Sequence, residues 1–162
     1  MAARDILFAG IILFVFAIIF FVINFTANTM IDRLVEIPAI NESARTVEAL
    51  QGTQAKVSNR LDYVFFGIFM ALTISIIITA WFLGGVAIFA VIYIIIWILS
   101  IVISSVFAYT WDTTMAASVF GTTLSNFTLT NHILSHLPLY IGIMGFLGLV
   151  AMFAKPYFMG EE

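Results

Sequence analysis

Apolar residues fall in long unbroken runs along this chain, and the formal charges gather between the runs. Ile6 to Ile31 carries no charged residue, nor does Tyr63 to Trp111, nor Thr113 to Ala154. A helix needs about 20 apolar residues, each rising about 1.5 Å, to cross a bilayer. The first run holds one such helix, over about 6–25. The second is too long for one crossing, and Gly84-Gly85 interrupts it. Paired glycines break helices and allow tight turns. This run therefore reads as two spans, 63–83 and 86–108, joined by an almost loopless hairpin. The third run starts rich in hydroxyls and turns apolar at Leu137, predicting a fourth span over 137–154 that Lys155-Pro156 is expected to end. Tyr63, Trp81, Tyr109, Trp111, Tyr140 and Tyr157 sit near these ends, where amphipathic rings prefer the membrane interface. Tyr93 and Trp97 fall inside the third span and are expected to face the bundle or a polar partner. The pattern predicts an all-α, multi-pass membrane protein with about four transmembrane helices, forming a single membrane domain over 1–162.

The segment between the first two spans, about 29–62, holds most of the charge: Asp32, Arg33, Glu36, Glu42, Arg45, Glu48, Lys56, Arg60 and Asp62. Thr29 to Ile37 extends the first helix, Pro38 divides the segment, and Asn41 is an expected N-cap for a returning helix. Val47, Leu50, Val57 and Leu61 recur at near-heptad spacing, a weak coiled-coil-like seam and a candidate partner-docking stripe. Gly52 weakens that helix by roughly 1 kcal/mol relative to Ala without ending it. The expectation is a charged extramembrane helical hairpin, with an irregular polar loop as its competitor. The second connection, about 112–136, has a single formal charge and many hydroxyls. Asp112 is a plausible cap for a short helix through Phe120. Lying on the interface is the preferred reading here, against a re-entrant hairpin or packing on a neighbour.

Composition agrees with the pattern. The chain is 63% hydrophobic and 9% charged, with a mean hydropathy of +1.16. Soluble domains are about 45–50% apolar and about 25% charged, so lipid is the solvent that suits this sequence. A formal charge of −3 without a basic block gives no signal for nucleic acid. The absence of cysteine removes disulfides, thiolate metal sites and Cys nucleophiles. The apolar run after Met1 exceeds a signal-peptide core and reads as a retained span. Positive-inside counting leans towards a cytoplasmic location for Arg33, Arg45, Lys56 and Arg60.

Helices in lipid associate through small residues and a few polar contacts. Gly67, Ala71, Ser75 and Thr79 share one face of the second span. Ser100, Ser104 and Ala108 share one of the third. Gly142, Gly145 and Gly148, with Ala151, form a slowly rotating stripe on the fourth. These are the candidate packing residues, serving either the bundle or other chains. The first span offers only Gly10 and Ala17, and its Phe14, Phe16, Phe20 and Phe21 are expected to face lipid.

Candidate chemistry is sparse. No ionisable group lies within a predicted span, which counts against proton pumps, ion-coupled transporters and voltage sensors. His132 and His136 stand four apart, a spacing used by helical metal sites, and are the candidate metal ligands. Hydrogen-bonding histidines are the commoner meaning of such a pair. Asp112 with a histidine and a serine imitates a hydrolytic triad, but no serine has the surroundings of a nucleophile elbow. No cofactor motif is present, and the balance leans away from an enzyme. The expected partners are the lipid bilayer and either other membrane-protein chains or further copies of this one. The leading functional expectation is a structural or assembly subunit of a larger membrane complex, a membrane-containing virus particle being one such setting. The alternative is a small oligomeric pore lined by Ser75, Thr79, Ser100 and Ser104. A metal-dependent membrane enzyme comes third.

Overall fold

The computed structural model describes residues 2–83, 87–117, 120 and 127–159, and among these the secondary structure is helical, with no strand. Helix α1 covers Ala2–Val35, α2 Pro38–Asn41, α3 Ala44–Leu83, α4 Ala87–Met115, α5 Thr128–Ser135 and α6 Leu137–Met159. Four of these, α1, α3, α4 and α6, are long and apolar enough to cross a membrane, which fits a multi-pass membrane protein. The glycine pair expected to form a turn lies outside the described residues.

Each long helix extends beyond the apolar stretch that announced it. Helix α1 continues to Val35 because no residue before Pro38 opposes it. Ile37 is then held extended (φ −71°, ψ 122°), as the residue before a proline must be, and Pro38 opens α2. Asn41 is not the cap expected of it: it is the last residue of α2. Ser43 takes that position, its carbonyl receiving the N–H groups of Thr46 and Val47 at 2.9 and 3.1 Å. Asp112 does not begin a helix either. It lies within α4, whose ladder runs unbroken through the aromatic and hydroxyl residues to Met115. At the other end, Lys155-Pro156 fails to end α6, which continues to Met159. A proline removes one ladder hydrogen bond but leaves the backbone able to carry on for a last turn.

The interior is built from one face of each helix. On α1 this face is Ile6, Ala9, Leu13, Ala17, Phe21, Asn24 and Asn28, at spacings of three and four. Helix α1 packs on α3 and α4, and α6 packs on the same two. Outer faces are apolar too: Ile74 and Ile78 on α3, Val91 and Ile95 on α4 and Phe153 on α6 are all exposed. A helix apolar all round suits a lipid surrounding. Of the four phenylalanines expected to face lipid, Phe16 is exposed, while Phe21 is buried. Phe21 meets Trp111, Phe120 and Phe127 edge-on, so it closes the interior where α1, α4 and the chain before α5 converge.

Helices α1 and α4 run in the same direction. Phe14 stacks on Phe107 with centroids 4.6 Å apart, and one to two turns further on Phe21 meets Trp111. Extending that register backwards, α4 starts roughly 8–12 Å before α1 does.

Candidate functional site: polar contacts and an apolar groove at one end of the bundle

Glycine lets aromatic side chains reach backbone between α4 and α6. The Tyr93 hydroxyl donates to the Gly145 carbonyl at 2.9 Å, and Trp97 Nε1 donates to the Ile141 carbonyl at 3.2 Å. A Cβ on Gly145 would collide with the Trp97 ring, and one on Gly148 with the Tyr93 hydroxyl. Ser100, Ser104 and Ala108 are buried on the same helix. The two serine hydroxyls donate to the Ile96 and Ile101 carbonyls of α4 itself. They occupy little volume and leave no unsatisfied donor.

The small residues of α3 are placed differently. Gly67, Ala71 and Ser75 point outward and Thr79 is half-buried, and a Cβ on Gly67 would meet nothing within 4 Å. The packed face of α3 is instead Asp62, Phe65, Phe69, Ile76 and Ala80. Within one chain Ser75 thus faces outward and Thr79 is half-buried, while Ser100 and Ser104 face the interior.

Asp62 is the group that sequence reasoning missed. It falls at the end of the charged connection, yet it is 4% exposed and faces the start of α5. Its carboxylate accepts the Leu129 N–H at 2.9 Å, the Thr130 N–H at 2.7 Å and the Thr130 hydroxyl at 2.7 Å. The first N–H groups of a helix lack partners within it and carry its partial positive charge, so a carboxylate there is doubly favoured. A cap is usually supplied by the residue next to the helix; here α3 supplies it from a distant part of the chain. Trp111 Nε1 donates to Asn131 Oδ1 at 3.0 Å, and the Ser135 hydroxyl donates to Asp112 Oδ1 at 2.6 Å, fastening α5 to α4. Thr130, Ile133 and Leu134 are buried. The later part of the hydroxyl-rich connection is thus a helix packed on α3 and α4.

His132 lies on α5 and His136 just past its end, both exposed, with ring centroids 4.7 Å apart. One ring nitrogen of His136, Nδ1, lies 3.0 Å from the His132 carbonyl, so this pair already uses part of its hydrogen-bonding capacity. Among the described residues, no group of three or more His, Asp or Glu side chains is arranged to hold a metal ion.

A second polar pair joins α1 to α3. Asn24 Oδ1 accepts the Ser58 hydroxyl at 2.7 Å, and both residues are buried. Asn24 Nδ2 and Asn28 Oδ1 are buried without a hydrogen-bond partner among the described residues. The candidate docking stripe lies on the same stretch of α3: Val47, Leu50 and Leu61 are half-buried and Val57 is exposed.

Beside Trp111 an apolar groove of about 320 Å³ opens between α1 and α4. Phe14, Phe21 and Phe25 line one wall, and Trp111, Met115 and Phe120 the other.

Among the described residues the architecture is all-helical, with four helices fit to cross a membrane. No protein-family model, characterised protein or solved structure matches the chain.

Proposed function

We propose that this is a four-span membrane protein serving as a structural or assembly subunit, and that the charged projection formed by the end of α1, α2 and the start of α3 is where a partner chain docks. One observation carries the reading. Beyond the Asn24–Ser58 contact, α1 continues to Val35, and α3 begins at Ala44, about 21 Å along the helix before Ser58. That projection leaves Met30 62% and Val57 37% exposed, with Leu34 and Ile37 also exposed, among its charges. Met30 and Leu34 stand one turn apart on α1 with Ile37 beyond them, and exposed apolar side chains so aligned on a charged, projecting element are the usual mark of an interaction surface. Burying each is worth roughly 1.5–3 kcal/mol, enough together for a specific contact. Val47 and Leu50 are half-buried within the projection, where α3 meets α1 and α2, and Leu61 is half-buried just past the Asn24–Ser58 contact. Met30 and Val57 are therefore the better probes.

Purification in mild detergent followed by mass determination tests the proposal. The expected result is a complex with different chains at fixed stoichiometry. Met30→Ser combined with Val57→Ser should release those chains while helical content and melting temperature stay unchanged. A native protein that purifies alone, or only with copies of itself, overturns the proposal.

A further inference from the structure

We infer that the groove between α1 and α4 is a binding site for one acyl chain of a bilayer lipid. The inference rests on the membrane-spanning reading of the four helices. The groove follows α1 from Phe14 to Phe25, roughly 16 Å of helix, the length of a substantial part of a lipid tail. Its described inner surface is aromatic and aliphatic, and the polar groups carried by the described lining residues are the Trp111 indole N–H, which donates to Asn131, and the hydroxyls of Thr110 and Thr114. Both hydroxyls already donate to carbonyls of their own helix, Val106 and Thr110, at 2.8 Å. Among the described lining residues the groove therefore offers no unsatisfied hydrogen bond to a polar ligand.

Its position selects the occupant. The mouth is bordered by exposed Ile18 and Val22 on α1, with exposed Val106 and Tyr109 nearby on α4, so it opens through an apolar rim near the level of the membrane interface. Tyr109, Trp111 and Asp112 mark the end of the apolar run of α4 at the same level. A tail lying in the groove would thus run inward from a headgroup held at the interface. Rings on both walls are a surface to which a flexible chain adapts by rotation about its bonds.

The test uses the full-length protein in phosphatidylcholine vesicles containing a phosphatidylcholine with a diazirine in its acyl chain. After illumination, cross-linked peptides are mapped and quantified. Labelling of the groove residues Phe14, Ile18, Phe25 and Thr114 should exceed that of the outward Ile74, Ile78, Val91 and Ile95 several-fold. Val22→Trp, which places a ring at the mouth, should reduce groove labelling to the level of the outward positions and leave theirs unchanged. Equal labelling of all these positions, or groove labelling indifferent to Val22→Trp, overturns the groove site and leaves the membrane reading intact. No labelling anywhere overturns both.

Discussion

The carboxylate of Asp62 receives both the backbone N–H and the hydroxyl of Thr130 through a single oxygen, Oδ1. Two segments far apart in sequence are thereby tied at the first turn of α5. Charge-assisted hydrogen bonds contribute about 1.5–3 kcal/mol, and the buried donors become costly if the acceptor is removed. Asp62→Ala should lower unfolding stability in detergent by about 2–4 kcal/mol. Thr130→Val, which removes only the hydroxyl, should cost about 1 kcal/mol. Amide exchange at Leu129 and Thr130 should accelerate in Asp62→Ala before exchange elsewhere does. Protection as in the native protein would show that the contact does not hold α5.

Glycine substitutions should separate the two kinds of small-residue face. Gly145→Ala and Gly148→Ala force the Trp97 and Tyr93 rings to move, and overpacking of this sort costs about 1–3 kcal/mol. Gly67→Ala meets open space and should be neutral, or stabilising by up to about 1 kcal/mol through helix propensity. Melting temperatures of the three variants decide the matter. Gly67→Ile additionally asks whether the outward face of α3 meets another chain: loss of a complex without loss of melting temperature would place a partner there.

Asn28 holds a buried oxygen with no donor among the described residues. Replacing such a group by an apolar one of similar size removes a desolvation cost of about 1–3 kcal/mol. Asn28→Leu should therefore raise the melting temperature. Asn24→Leu should not, because it also removes the acceptor of the Ser58 hydroxyl. A fall in stability for Asn28→Leu would mean that its oxygen has a partner in the native protein.

Four crossings place both chain ends on one side of the membrane. Because the native sequence contains no cysteine, single cysteines at Ala3, Gly85 and Gly160 report directly on location. All three should react with an impermeant maleimide from the same side, and a cysteine at Gln51 from the other. Labelling of Ala3 and Gly85 from opposite sides would contradict four crossings.

The long helices were legible because each is announced by an uncharged run that only a helix can carry through lipid. Their ends were not. Pro156 and Asp112 are strong local signals, yet α6 passes one and α4 the other, because neighbouring turns supply what the local preference withholds. Among the small-residue stripes, Gly145 with Gly148 and Gly67 with Ala71 looked alike in sequence. Only the placement of Trp97 and Tyr93 tells packed from open. Asp62 was hidden for a similar reason. A charge one residue before an apolar run reads as solvent-exposed, and the donors that satisfy it lie in a helix that shows no capping residue of its own. A signal was present all the same: α5 begins Phe127-Thr128 without a side-chain cap, so its first N–H groups needed an acceptor from elsewhere.

The offset between α1 and α4 has a consequence for the lipid around them. With α4 starting roughly 8–12 Å before α1, Arg4 and Asp5 stand beside the middle of the apolar run of α4, not its end. Arg4 is exposed, its guanidinium 5.9 Å from the centre of the Phe8 ring. A bilayer leaflet flat across the whole molecule would submerge this charge in hydrocarbon. Headgroups drawn inward beside α1 would hydrate it, while those around α4 stand further out to cover Ile88 and Phe89, both exposed. A bilayer around this bundle would then thin along its α1 side.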